Sequence, residues 1–249
     1  MSASAPTILA TSMGFASAGR GPYDWRPGPV FDLASQLAGA PDRLRICFLG
    51  TATGDEPTRI AGFYGAFAGR PDVVVSHLSL FPMPTVADVR AHLLAQDVVW
   101  VGGGSVANLL AVWRVHGLDE VFREVWQAGV VLAGVSAGSL CWHVGGTTDS
   151  FGPDLRPVTN GLGFIPTSNG VHYDSEEQRR PLYHQLVCDG TLPEGHATDD
   201  GVGLVYRGTE LVDVVADRDD AAAYRVERNP DGTVTETRLE PRRLELPAA

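Results

Sequence analysis

The sequence predicts an α/β fold: a three-layer sandwich with a mostly parallel central sheet, helices on both faces, and a C-terminal antiparallel β meander. Three observations lead there. Short apolar runs of strand length alternate with helix-spaced segments through the first half of the chain. Two of those runs, 98–101 and 130–133, end in glycine-rich turns that open helices. Beyond Gly195 the alternation gives way to short strands separated by turns. With 249 residues, 44% of them hydrophobic, the chain can bury one sizeable core, so a single domain over 1–249 is expected.

Taken in order, residues 7–13 read as a first strand and 14–29 as a Gly/Pro-rich loop. Phe31, Leu33, Ala34 and Leu37 follow at helical spacing, and Gly39 ends that helix. Residues 45–50 form a central strand that opens into a Thr/Gly loop at 51–54. Ile60, Phe63, Tyr64 and Phe67 mark one helix face, closed by Gly69. A strand at 73–80, a helix through Val86, Val89, Leu93 and Leu94, and a strand at 98–101 continue the pattern. Val106, Leu109, Leu110 and Trp113 predict the next helix, and Leu118, Val121, Phe122, Val125 and Trp126 another. After the strand at 130–133, a helix is expected to continue through Leu140 and Val144. Residues 147–160 read as an irregular loop and 162–166 as a short strand. Ser175 with Gln178 suggests a capping box for a helix over 175–187. Strands at 202–206, 211–216 and 222–226 follow, with Asn229-Pro230-Asp231-Gly232 as a hairpin turn. Residues 244–249 are expected to fray.

A formal charge of −11 without a basic cluster argues against a nucleic-acid partner. Cys47, Cys141 and Cys188 lie far apart and form no C-x-x-C pair, so neither a metal nor a redox site is expected. The polar N-terminal stretch 1–6 has no basic region followed by an apolar one. No membrane span is visible, and a cytoplasmic location is expected.

The chemistry concentrates at Gly134-Val135-Ser136-Ala137-Gly138, a G-x-S-x-G pattern between a buried strand and a helix. That context is a nucleophile elbow, in which Ser136 Oγ projects over the strand end and nearby amides can receive an anion. The bland alternative is a tight turn with an incidental serine. Gly102-Gly103-Gly104 ends the neighbouring predicted strand and exposes backbone amides to the same crevice. It lacks the lysine of a P-loop, so no nucleotide is expected. A serine needs a base, and the base an orienting acid. Of seven histidines, His77, His92 and His116 fall on predicted strands and helices. His184 lies on the late helix, and His143 sits about two helical turns beyond the serine. His172, in a loop after a predicted strand, is the candidate base, with His196 in reserve.

These segments together resemble the peptidase E (aspartyl dipeptidase) and cyanophycinase-like serine peptidases. The resemblance rests on Val101-Gly102-Gly103-Gly104-Ser105 with Asn108-Leu109-Leu110, and on the elbow from Ala133 to Ser139. It continues through Thr147-Thr148-Asp149-Ser150, Leu162-Gly163-Phe164-Ile165-Pro166 and Val171-His172-Tyr173-Asp174. It implies a fold related to the class I glutamine amidotransferases, with serine in place of their elbow cysteine. It also implies a triad of Ser136, His172 and Asp149, with Asp154, Asp174 and Glu176 as alternative acids. Oxyanion amides would come from Ala137 and from Gly103 or Gly104. The family's aspartate-binding arginine maps ambiguously to Arg179 or Arg180 on a shortened segment. Ser105 and Val106 stand where the family usually has Asn or Thr.

The expectation is therefore a serine peptidase cutting very short peptides, with no metal or organic cofactor and no strict requirement for an N-terminal aspartate. A homodimer is one open arrangement. The rivals are an esterase or amidase on a non-peptide substrate, and a non-catalytic binding protein on an amidotransferase-like scaffold.

Overall fold

The computed structural model describes residues 5–245 apart from 20, 22 and 41. The polar residues 1–4 and most of the expected fraying end, 246–249, lie outside the described residues. The chain begins with β1 (Thr7–Thr11), a hairpin of β2 (Phe15–Ser17) and β3 (Trp25–Pro27), and α1 (Val30–Leu37). Then come β4 (Leu44–Leu49), α2 (Pro57–Phe67), β5 (Val73–Leu78), α3 (Val89–Leu94) and β6 (Val98–Val101). Next are α4 (Val106–Val115), α5 (Leu118–Gln127), β7 (Val131–Val135), α6 (Ala137–Leu140), β8 (His143–Thr148) and β9 (Arg156–Val158). The remainder holds β10 (Ile165–Gly170), α7 (Arg179–Cys188), β11 (Gly195–Thr198) and β12 (Val202–Arg207). It closes with β13 (Glu210–Ala216), β14 (Ala223–Arg228), β15 (Val234–Leu239) and β16 (Arg242–Arg243).

The central sheet runs β16-β13-β12-β1-β7-β6-β4-β5. From β1 to β5 every pairing is parallel, whereas β12 and β13 add antiparallel. Alternate side chains enter different layers, as the two-residue strand period demands. Leu9, Phe48, Trp100 and Ala133 pack with α1 and α2 residues such as Phe31 and Phe63. Ile8, Ala10, Val101 and Leu132 face Leu109, Trp113 and Phe122 of α4 and α5. That second layer also takes in Trp142, Phe164 and Ile165, so it joins the central sheet to a second sheet ordered β15-β14-β11-β10-β8-β9.

Several boundaries differ from expectation. The elbow helix is only four residues long, and 143–148 form a strand in place of its continuation. That segment is His-Val-Gly-Gly-Thr-Thr, weak in helix propensity, and it gains ladder partners in β10 and β9. The loop expected at 147–160 thus contains β9. Likewise 14–29 contains the β2–β3 hairpin. The capping box is not used: α7 starts at Arg179 with Gln178 at its N-cap and no side-chain cap bond. The C-terminal strands do not form one meander. β12 and β13 extend the central sheet, while β11, β14 and β15 belong to the second.

The glycines of the elbow are required by close approach. A Cβ on Gly138 would lie 2.2 Å from the Val101 carbonyl oxygen, and one on Gly134 would lie 2.6 Å from that same oxygen. That neighbour is backbone and cannot turn away. Gly138→Ala should therefore destabilise by about 3 kcal/mol or more. Gly65→Ala, on an exposed turn of α2 with nothing within 4 Å of the new methyl, should stabilise by about 0.4–1 kcal/mol. Urea midpoints at constant slope check both, and a neutral Gly138→Ala would contradict this packing.

Candidate active site

β7 delivers Val135 and then Ser136 at φ 58°, ψ −112°, a conformation sparsely populated for any residue with a side chain. The Ser136 N–H donates to the Thr11 carbonyl at 3.0 Å, which anchors the turn to the end of β1. The Ser136 carbonyl accepts from Ser139 and Leu140, so the amide of Ala137 precedes the first bonded turn of α6. The triple-glycine turn lies against the same serine. A Cβ on Gly103 would sit 3.2 Å from Ser136 Cβ and 3.8 Å from Oγ, whereas one on Gly104 would run into the Ala52 carbonyl. Ser105, one of the departures from the family pattern, caps α4 by accepting from the Asn108 N–H.

His172 follows β10 with φ 53°. Its N–H donates to Ser12 Oγ at 3.2 Å, one residue along from the anchor of Ser136. Its Nδ1 lies 2.5 Å from Asp200 Oδ1. An Nδ1–H donated to that carboxylate leaves Nε2 of the neutral ring as the acceptor. The His172 hydrogen bond holds the Asp200 carboxyl below its ordinary range, so the group is ionised at neutral pH. Asp200 sits in the connection from β11 to β12, and this connection is tied down on both sides. The Asp200 N–H donates to Asp174 Oδ1 at 2.8 Å, and the Gly201 N–H to the Ser12 carbonyl at 2.9 Å.

The acid expected at Asp149 is not brought to His172. Asp149 is exposed at the end of β8, and its neighbour Ser150 accepts from the Ala107 N–H at the start of α4. The Thr-Thr-Asp-Ser loop therefore braces the helix behind the glycine turn. Asp154 is exposed, Glu176 is bonded to Arg179, and Asp174 is held by Arg218 while it grips Asp200. The reserve base is also placed elsewhere. His196 Nδ1 pairs with the Tyr206 hydroxyl at 3.2 Å, and burial pushes its pKa down to about 4. His143, fully buried on the same hydroxyl and the Ser139 carbonyl, is pushed down to about 3.

Neither candidate arginine lines the cleft beside Ser136. Arg179 is buried, with one N–H on the Thr147 carbonyl at 2.7 Å and a two-point contact to Glu176. Arg180 stacks over Tyr173 and Tyr224, 4.7 and 4.4 Å from the ring centroids, with Glu236 at 3.6 Å. Their helix presents them to the second sheet, so the substrate role expected of them is not what they are positioned for. The cleft itself, about 450 Å³, is lined by Ser136 and Gly103, by Asp200 and by an aromatic wall that includes Phe15 and Trp25. Among the described residues no group of three or more His, Cys, Asp or Glu side chains is placed to hold a metal ion.

A family model described as peptidase family S51 matches residues 29–214, a span that contains Ser136, His172 and Asp200. The chain belongs to peptidase family S51. It is a serine-type peptidase of the peptidase E-like group, and relatives agree. This S51 chain is 48% identical over 182 residues to the uncharacterized peptidase YgaJ of Bacillus subtilis (strain 168), across 73% of this chain and 77% of that protein. It is 28% identical over 133 residues to peptidase E of Shewanella denitrificans, across 50% of this chain and 56% of the relative. Its fold matches the crystal structure of a peptidase from an acI-B1 Actinobacterium with a TM-score of 0.63 over 95% of each chain, at 19% identity. No helix among the described residues is long and apolar enough to cross a membrane.

In this S51 peptidase the contacts of Arg179 imply a structural role. Arg179→Ala removes the donor of a buried carbonyl, whereas the half-exposed Glu176 can turn to water. A loss of about 1–3 kcal/mol in denaturant unfolding is expected, with no change in the relative kcat/KM of different peptides. A changed peptide preference at full stability would return Arg179 to the substrate site.

Proposed function

We propose that this S51 peptidase hydrolyses short peptides, dipeptides above all, through a triad of Ser136, His172 and Asp200, with Asp149 outside it. The observation that carries the reading is the 2.5 Å contact of His172 Nδ1 with Asp200 on a base loop anchored next to the Ser136 turn. Ser136 Oγ attacks the scissile carbonyl carbon while His172 Nε2 takes its proton. The oxygen that becomes negative is received by the amides of Ala137 and Gly103, each such donor contributing about 3 kcal/mol to the barrier reduction. His172 then gives its proton to the leaving amine, the C–N bond breaks, and water repeats the sequence on the acyl-serine. Asp200 holds the ring in its tautomer and stabilises the imidazolium. A cleft of about 450 Å³ suits a ligand of one or two residues. The commitment of Arg179 and Arg180 to Glu176, Tyr173, Tyr224 and Glu236 supports the absence of a strict N-terminal aspartate requirement.

Ser136→Ala should lose at least about 10⁴-fold in kcat while keeping its unfolding midpoint, and should no longer be labelled by an organophosphonate. Asp200→Asn should lose about 10⁴-fold, because the amide favours the wrong imidazole tautomer. Asp149→Asn should stay close to wild type. A collapse on Asp149→Asn with Asp200→Asn active would reverse the assignment of the acid. Absence of labelling in the wild-type protein would remove the catalytic reading.

A further inference from the structure

The β2–β3 hairpin builds one wall of the Ser136 cleft. Phe15 and Trp25 stack there with centroids 4.8 Å apart and planes 9° from parallel. Both rings are half-buried and both line the cleft. Behind them Phe15 meets Phe31, Phe63 and Trp100, all buried, so the wall cannot collapse inward. Tyr23 stands edge-on to Trp25 at 5.3 Å, and the Arg59 guanidinium lies over the Tyr23 ring. This is a preorganised, partly buried apolar wall within a cleft, the lining usual for a ligand site.

The charges around it favour one kind of occupant. Among the described residues the two arginines that line the cleft are already engaged: Arg59 Nε with Glu56 at 3.2 Å, and Arg218 with Asp174. Asp200 is bonded to His172. Asp217 also lines the cleft, and its carboxylate has its own backbone N–H as a hydrogen-bond donor, with the charges of Arg243 and Arg218 acting on it as well. It lies beside the base of the hairpin, since a Cβ on Gly28 would be 3.8 Å from Asp217 Oδ2. Burial pushes its carboxyl up, so its ionised form gains from a nearby cation, and Arg243 and Arg218 offset that only in part. Among the described residues a substrate carboxylate would meet Asp217 and two guanidiniums already paired, and none of these would compensate its desolvation.

We infer that the Ser136 cleft selects short peptides with a bulky apolar N-terminal residue, the side chain lying on the Phe15–Trp25 wall and the free ammonium facing Asp217. The inference rests on the Ser136 reading above and goes beyond it to the class of substrate. Trp25 and Phe15 are then specificity-determining, and Asp217 ties selection to an unblocked N-terminus.

The test uses the full chain and the dipeptides Phe-Ala, Leu-Ala, Ala-Ala and Asp-Ala, with N-acetyl-Phe-Ala as the blocked probe. Wild-type kcat/KM should be at least about tenfold higher for Phe-Ala or Leu-Ala than for Ala-Ala or Asp-Ala. The ratio of Phe-Ala to Ala-Ala should fall several-fold in Trp25→Ala and be largely restored in Trp25→Phe. Acetylation should cost wild type at least about tenfold, and Asp217→Asn should shrink that difference. Asp-Ala as the best substrate, or a Phe-Ala to Ala-Ala ratio unmoved by Trp25→Ala, would overturn the inference. So would a protein labelled at Ser136 by an organophosphonate that shows no apolar preference or cleaves none of these peptides. Absence of both labelling and hydrolysis would overturn the underlying peptidase reading instead.

Discussion

Thr11 and Ser12, where β1 ends, hold the loops of the site together. The Thr11 carbonyl accepts from Ser136, and its hydroxyl is shared between the carbonyls of Gly134 and Met13, at 3.0 and 2.7 Å. Ser12 Oγ accepts from the His172 N–H and pairs with Thr198 Oγ1 at 2.8 Å, while its carbonyl accepts from Gly201. The elbow and the loops that carry His172 and Asp200 are thus pinned to two adjacent residues at the end of β1. Thr11, Ser12 and Thr198 are themselves buried, where a polar group without a partner is costly. β1 owes its place to being apolar on both faces, with β7 on one side and β12 on the other. The geometry of the site is in this sense a property of the sheet centre.

The same economy shapes the elbow. Its glycines do not carry the unusual dihedral angles; Ser136 does. Gly134 and Gly138 bring the short helix against the Val101 carbonyl, and that contact fixes a serine conformation that costs of order 1–3 kcal/mol. Packing over β6 and β7 outweighs that cost, because Val101, Leu132, Ala137 and Leu140 are all buried there.

Features that depend on local pattern were legible in the sequence. Alternation of apolar runs with helical stripes showed the parallel half of the sheet, and strand–turn–helix context singled out Ser136. The resemblance carried His172. The partner of His172 was hidden because Asp200 lies 28 residues on, inside Asp199-Asp200-Gly201, which reads as an ordinary turn. Thr147-Thr148-Asp149-Ser150 offered a carboxylate in the expected place, yet Ser150 and not Asp149 makes the contact that matters there, to the start of α4. Arg179 and Arg180 are adjacent on one helix, and only packing against β8, Tyr173 and Tyr224 decides what they touch. Thr11 and Ser12 carry no motif and gave no signal at all. The short elbow helix was overextended because small residues after it fit a strand once β10 lies alongside.

The division of the C-terminal strands between two sheets has a mechanical consequence. His172 hangs from the end of β10 in the second sheet, Ser136 from the end of β7 in the central one, and Asp200 from the segment that crosses between them. Sliding of one sheet against the other would first break the Ser12 bonds that tie the His172 and Gly201 loops to the end of β1, before either ladder opened. Alignment of the proposed triad acts as a gauge of inter-sheet registry. The aromatic layer of Trp113, Trp142 and Phe164 between the sheets then holds that alignment as directly as any polar group in the cleft.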